Sequence, residues 1–305
     1  MKSQLFGNRA RDLFVKEHAT RYTELSRLPY FNIVEQVVID PMHNLFLGLV
    51  KTHFYHIWIQ MGILRENHEL RVLHEMLRDF VVPTSAGKLP KDIGTPAGGS
   101  LTADQWRLLA VVEGPIVIPQ LWASCLPNDP TKLLNDRVER IAREELQKLE
   151  EKRRAAAERA RKKAEKDTAQ KKPSKSVMNT GEVYSLHPDD PANFLKLSEA
   201  LRLLTSHVLT TAEIKDADKL LREYCTELLR LYGKGAIRPN HHYATHVPDF
   251  ALMFGPLHNF WSFLFERLNK VLKSYNTNNR GDGELETTFF TEFHRTSASA
   301  RMVSP

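Results

Sequence analysis

Cysteine is nearly absent: Cys125 and Cys225 are the only two in 305 residues. They lie far apart, offer no disulfide framework, and form no Cys-x-x-Cys metal pair. A reducing intracellular setting, nuclear or cytoplasmic, is therefore expected. No run of about 18 uncharged apolar residues occurs, so a membrane span is not expected. The opening residues MKSQLFGNRARDLF lack the apolar stretch of a secretory signal. An excess of one charge sign is missing from most of the chain. Twelve basic and five acidic residues between Lys148 and Lys175 give that segment +7, while the net charge of the whole chain is +6. The rest is nearly neutral, so the basic balance describes one segment and not a basic face on the folded body. No internal repeat is present. What remains, at 42% apolar residues, suffices for one large core or two smaller ones.

Periodicity and punctuation predict a mainly helical chain with one short strand element. Helical character runs through Arg11–Ser26, and the β-branched run Val34–Ile39 (VEQVVI) predicts a strand. Asp40-Pro41 opens an apolar helix over Met42–Met61, and another spans Asn67–Phe80. Three prolines and four glycines make Val82–Ser100 a loop. Thr102 and Gln105 form a capping box, after which Pro115 and Pro119 are expected to break or kink the chain. Thr131–Ala169 reads as one long charged helix, followed by a polar linker to Asp190. Phe194, Leu197, Leu201, Leu204 and Val208 mark one helical face. Ile214, Ala217, Leu221, Tyr224, Leu228 and Leu231 mark another, capped by Thr210 with Glu213 and stopped by Gly233. The two form an antiparallel hairpin. An Asn/Gly-rich loop at Asn276–Gly283 precedes a last helix over Glu284–His294.

Four features could carry chemistry. Asp40-Pro41-Met42-His43 is either a helix start, with Asp as N-cap and Pro at the first position, or a carboxylate at a strand end. In the run from His241 to His246, His242 and His246 are four apart; one helix would put both imidazoles on one side, as a zinc pair requires. Against that stands the plain alternative of histidines bonded to backbone or solvent. Glu266 lies among Leu257, Phe260, Trp261, Phe263, Leu264, Phe265 and Leu268. Such a helix should be buried on most sides, where a carboxylate needs a metal, an arginine or hydrogen bonds. Finally, the basic run over 152–175 is either a solvated helix and linker or a localisation and phosphate-contact patch.

Taken in order, these blocks resemble the fungal CACTA (En/Spm-like) DNA transposases. The resemblance rests on LPYFNIVEQVVIDPMHNLFLGLVK, LTADQW, RPNHHYATHVPDFALMFGPLHNFW, and FERLN followed by GELETT, and it covers most of residues 22–290. It implies the late part of an RNase H-like core interrupted by a large helical insertion. On that reading residues 1–60 are a core remnant, 61–235 the insertion with the charged helix and linker 131–190, and 236–305 the end of the core. The family cleaves DNA and transfers strands with carboxylates that hold two Mg²⁺ or Mn²⁺ ions. The resemblance makes Glu266 the final catalytic carboxylate. His43 matches a Met-His dipeptide, and His242 and His246 match the spaced pair, with His241 an alternative first member; zinc is the metal such histidines would take. The family's first two aspartates and Cys pair have no counterpart before Met42, and Asp40 is not a substitute for them. Lys270 stands where relatives have Gly. The expectation is a transposase-derived chain that does not cleave by itself, with DNA as partner, room for a homo-oligomer, and no small-molecule substrate or membrane.

Overall fold

The computed structural model describes residues 8–18, 23–83, 87–164, 186–275 and 283–303. The chain divides into two units, Met1–Ile39 and Asp40–Pro305.

The first unit holds helix α1 (Asn8–His18), a 3₁₀ turn at Glu24–Arg27 and the single turn α2 (Ile33–Gln36). Thr23 caps the 3₁₀ turn by accepting the Leu25 N–H at 3.4 Å. None of the unit's described side chains is buried. The expected strand over Val34–Ile39 is not formed. Its first half belongs to α2, which begins where Gln36 Oε1 accepts the Asn32 N–H at 2.8 Å. No residue is in a strand among the described residues. Strand preference reflects packing on a pleated, half-buried surface with a paired neighbour. Val37 has neither and is exposed.

Among its described residues, the regular elements of the second unit are all helices. Two π-helical segments, π1 (Met42–Val50) and π2 (Thr52–Ile59), run on through Lys51. Their i→i+5 bonding shows at the ends: Lys51 N–H reaches Phe46 O, and Gln60 N–H reaches Tyr55 O at 2.9 Å. Helix α3 (Glu69–Asp79) follows. Then α4 (Ala103–Leu108), π3 (Leu109–Glu113) and α5 (Gly114–Cys125) form one continuous rod. The capping box of Thr102 and Gln105 starts it. The prolines do not break it: Pro115 and Pro119 both lie inside the rod and have no N–H to give, but the segment is buried against α3 and a later helix. Gly114 is required here, because a Cβ would lie 2.3 Å from Leu109 O and 2.9 Å from the Phe194 ring. This rod is also the one described helical stretch long and apolar enough to cross a membrane, but half of it is buried, as in an ordinary core helix.

Helix α6 (Thr131–Ala164) is 34 residues long, and Arg137 is its only buried described side chain. The predicted hairpin is α7 (Asp190–Leu204) and α8 (Thr211–Tyr232), the most extensively packed helix pair of the fold. All six residues predicted for the α8 face are buried; Val208 lies beyond the end of α7 and is exposed. Thr210 and Glu213 form the capping box, and Gly233, at φ 70°, closes α8 with its N–H on Leu229 O. The chain ends in α9 (Pro239–Ala244), α10 (Val247–Phe254), α11 (Phe263–Lys273) and α12 (Glu284–Val303). π1 packs against both α4 and α9, so segments nearly 200 residues apart share one core. Most of the predicted linker between α6 and α7 lies outside the described residues.

At the centre sits Asp190, with no exposed surface. Its carboxylate faces His53 Nε2 at 3.2 Å and Trp58 Nε1 at 2.7 Å, and accepts the Tyr232 hydroxyl. His53 Nδ1 meets the Tyr224 hydroxyl at 3.1 Å. One carboxylate thus joins π2, the start of α7 and the end of α8. Burial alone would raise the Asp190 carboxyl; the hydrogen bonds and the positive potential of His53 outweigh it and hold it below the ordinary value. Removing a buried, hydrogen-bonded charge strands its partners, so Asp190→Ala should cost about 3–5 kcal/mol of unfolding free energy. Urea denaturation followed by circular dichroism measures this, and a loss below about 1 kcal/mol would contradict the role given to Asp190.

Candidate functional site

Asp40 is a cap and a clasp. Its carboxylate accepts the backbone N–H of Met42 at 3.4 Å and of His43 at 3.1 Å, which starts π1. It also reaches across the fold to the start of α11, accepting Ser262 N–H at 2.9 Å and Ser262 Oγ–H at 2.6 Å. The His43 imidazole pairs with the same carboxylate through Nδ1. Burial would push the Asp40 carboxyl up, but the bonds from Ser262 and His43 prevail and hold it below its ordinary value.

Aspartate, histidine and serine together invite comparison with a nucleophilic triad, and the geometry rejects it. A triad needs the serine at one imidazole nitrogen and the carboxylate at the other. Here Ser262 Oγ lies 3.2 Å from His43 Nδ1, the nitrogen that already faces Asp40, and the hydroxyl donates to Asp40. The serine is held in place and not activated. Sequence reasoning missed Ser262; its signal was a serine directly before the FLFERL helix, the ordinary position of a capping residue.

His242 and His246 do come together: their ring centroids are 5.0 Å apart and nearly perpendicular. They do not share one helix, as their spacing implied. His242 lies on α9 and His246 in the turn before α10. Pro248 has no N–H to give to the Ala244 carbonyl, which ends the first helix and starts a new one. Both histidines are exposed, and His246 Nδ1 lies 3.8 Å from Asp249.

Glu266 departs furthest from expectation. The apolar stripe Leu257, Trp261, Leu264 and Leu268 is not one helix: Leu257 lies in a 3₁₀ turn, Trp261 in the connection, and α11 begins at Phe263. No residue of α11 is buried, and Glu266 is exposed in its first turn, where a negative charge suits the helix dipole. It borders a shallow depression of about 340 Å³ with Asn269, Lys270, Lys273 and Ser274.

The four residues expected to hold metal therefore do not converge. Among the described residues no group of three or more His, Cys, Asp or Glu side chains could hold a metal ion. His242 and His246 supply two donors where a zinc site needs about four, and Glu266 stands with two lysines and not with other carboxylates. This donor set fits neither zinc nor a pair of Mg²⁺ or Mn²⁺ ions.

His241, the alternative member of the pair, points the other way. It is buried, its ring stacks on Tyr224 with centroids 6.3 Å apart, and Nδ1 accepts the Arg238 N–H at 2.9 Å. Nε2 has no partner. No family model, no curated protein and no solved structure matches the chain.

Burial lowers the His241 pKa from 6.5 to about 4, with the charges of His53 and Arg238 acting in the same direction. Between those values the unfolded chain takes up a proton that the folded chain refuses. Stability is unaffected by this group above pH 6.5 and falls as pH drops from there toward about 4, by roughly 3 kcal/mol in all. His241→Gln keeps an acceptor for the Arg238 N–H in the capping position and removes the titration. The difference in unfolding free energy between neutral and mildly acid solution should shrink accordingly; an unchanged difference would show that His241 is not the group responsible.

Proposed function

We propose that this chain derives from a CACTA-type DNA transposase and, as it stands, contacts DNA without cleaving it. The ancestral activity on this reading is metal-dependent DNA cleavage and strand transfer. Two kinds of support combine. The ordered sequence blocks, from VIDPMHNLFLG to HHYATH and FERLN, carry the ancestry. The observation that carries the loss of cleavage is the dispersal of the donors: Glu266 exposed beside lysines, His43 engaged with Asp40 and Ser262, and His242 with His246 lacking a third ligand. Two-metal phosphoryl chemistry needs several carboxylates aimed at ions about 4 Å apart.

DNA contact is assigned to the far part of α6. Past Ile141 every described side chain of this helix is exposed, including Lys152, Arg153 and Arg154. The excess positive charge of the chain lies in residues 148–175, which carry +7 and begin in this helix. A row of lysines and arginines on a projecting helix binds phosphates by releasing counterions, without reading sequence. A nuclear site of action goes with this role. The other reading, a helical module that binds protein, predicts no such salt dependence.

Two measurements test the proposal. Plasmid nicking in Mg²⁺ or Mn²⁺ should be undetectable; cleavage abolished by Glu266→Ala would overturn the loss of activity. DNA binding should weaken steeply with salt and disappear when residues 148–175 are deleted. Binding unchanged by that deletion would remove α6 from the contact.

A further inference from the structure

Helix α11 is eleven residues long and buries none of them, and no described side chain of α12 is buried. Among the described residues neither helix packs extensively on any other element. A helix of eleven residues is marginal in water without a packed face, so the order of α11 depends on what fastens it. At its far end α11 is tied to α12: Tyr275 packs edge-on against Phe289 and Phe293, with centroids 5.6 and 6.3 Å apart.

The fastening to the rest of the unit is at the near end. The connection from α10 belongs to the helical body as far as Trp261: Leu257 is buried, and its carbonyl accepts the Phe260 and Trp261 N–H groups at 3.1 and 2.9 Å. The next two residues make the joint. Ser262 gives its N–H and its hydroxyl to the Asp40 carboxylate, and the Phe263 ring lies 6.0 Å from that of the buried Phe46 and 4.9 Å from that of Trp261. Bonds to a charged acceptor are stronger than neutral ones, and Asp40 is part-buried, so water competes poorly for it. Asp40 is also fixed without the arm, because it accepts the His43 N–H and pairs with the His43 imidazole.

We infer that residues 263–303 form an arm that opens at Ser262 while the helical body stays folded, and that Asp40 is its latch. Opening breaks the two bonds from Ser262 and the contact of Phe263 with Phe46, and leaves every bond around Asp190 in place. Such a local opening costs far less than unfolding the body and exposes little new surface. Released from its fastening, α11 loses its helix, so each opening is recorded in the exchange of its amides.

Hydrogen–deuterium exchange of the full chain at neutral pH, read by mass spectrometry over a series of low urea concentrations, tests this. Peptides of α11 should be protected, yet exchange about 100-fold or more faster than those of α7 and α8, with a rate nearly independent of urea. Ser262→Ala removes one of the two bonds to Asp40 without touching the start of π1. It should speed exchange in α11 by about tenfold or more and leave α7 and α8 unchanged. Ser262→Thr keeps the hydroxyl and should restore exchange close to the native rate. Asp40→Asn weakens the same joint from the other side and should also speed α11, whereas Asp190→Ala should act on α7 and α8. Exchange in α11 that matches α7 and α8 in rate and urea dependence would show that there is no separate arm. Absence of protection in α11 of the native chain would show that the latch holds nothing. Exchange in α11 indifferent to both Ser262→Ala and Asp40→Asn would remove Asp40 as the latch.

Discussion

The buried carboxylate of Asp190 is the constraint on which the rest of the helical body depends. A charge without solvent can persist only when donors surround it, and Asp190 collects them from three elements: His53 and Trp58 on π2 and Tyr232 at the end of α8. The requirement fixes where π2 lies on the α7–α8 hairpin. It also sets the aromatic packing around it, because His53 sits with its ring 4.6 Å from Trp58, 5.6 Å from Phe194 and 5.6 Å from Tyr224. Arg137 extends the same junction to α6: its guanidinium donates to Leu231 O at 2.9 and 3.1 Å and lies over the Tyr232 ring. Arg137 is a buried cation that holds the long helix near its start, and past Ile141 the described side chains of this helix are exposed.

A second carboxylate, Asp40, does related work at the edge of the body. It caps π1 and grips Ser262, so one side chain contacts both the first and a late part of this unit. The histidine beside it completes the clasp and is thereby committed to structure. Acidic and imidazole groups that looked like chemistry in the sequence are used here as connectors. The exposed groups, His242, His246 and Glu266, have no such duty and no shared centre. The exposed basic end of α6 is the surface proposed to meet DNA.

Local rules were legible from the sequence. Asp40-Pro41, the boxes of Thr102 with Gln105 and of Thr210 with Glu213, and Gly233 all mark helix ends where expected. Each is a bond within about four residues, so the residues that make it are neighbours in the chain. The α8 face was equally legible, because helical periodicity lists its buried positions directly. Asp190 was hidden: it has the same Asp-Pro context as Asp40, and nothing local shows that one is sealed in the core and the other sits at its edge.

By itself, then, the sequence determined helix content, helix ends, the inward side of α8 and the confinement of positive charge to one segment. Only the tertiary structure decided that Val34–Ile39 has no strand to pair with, that Glu266 faces water, and that His242 and His246 meet across a helix break without a third ligand. Strand pairing, burial and ligand convergence all depend on residues far apart in the chain. Their energies come from desolvation and from contacts that no short window of sequence contains.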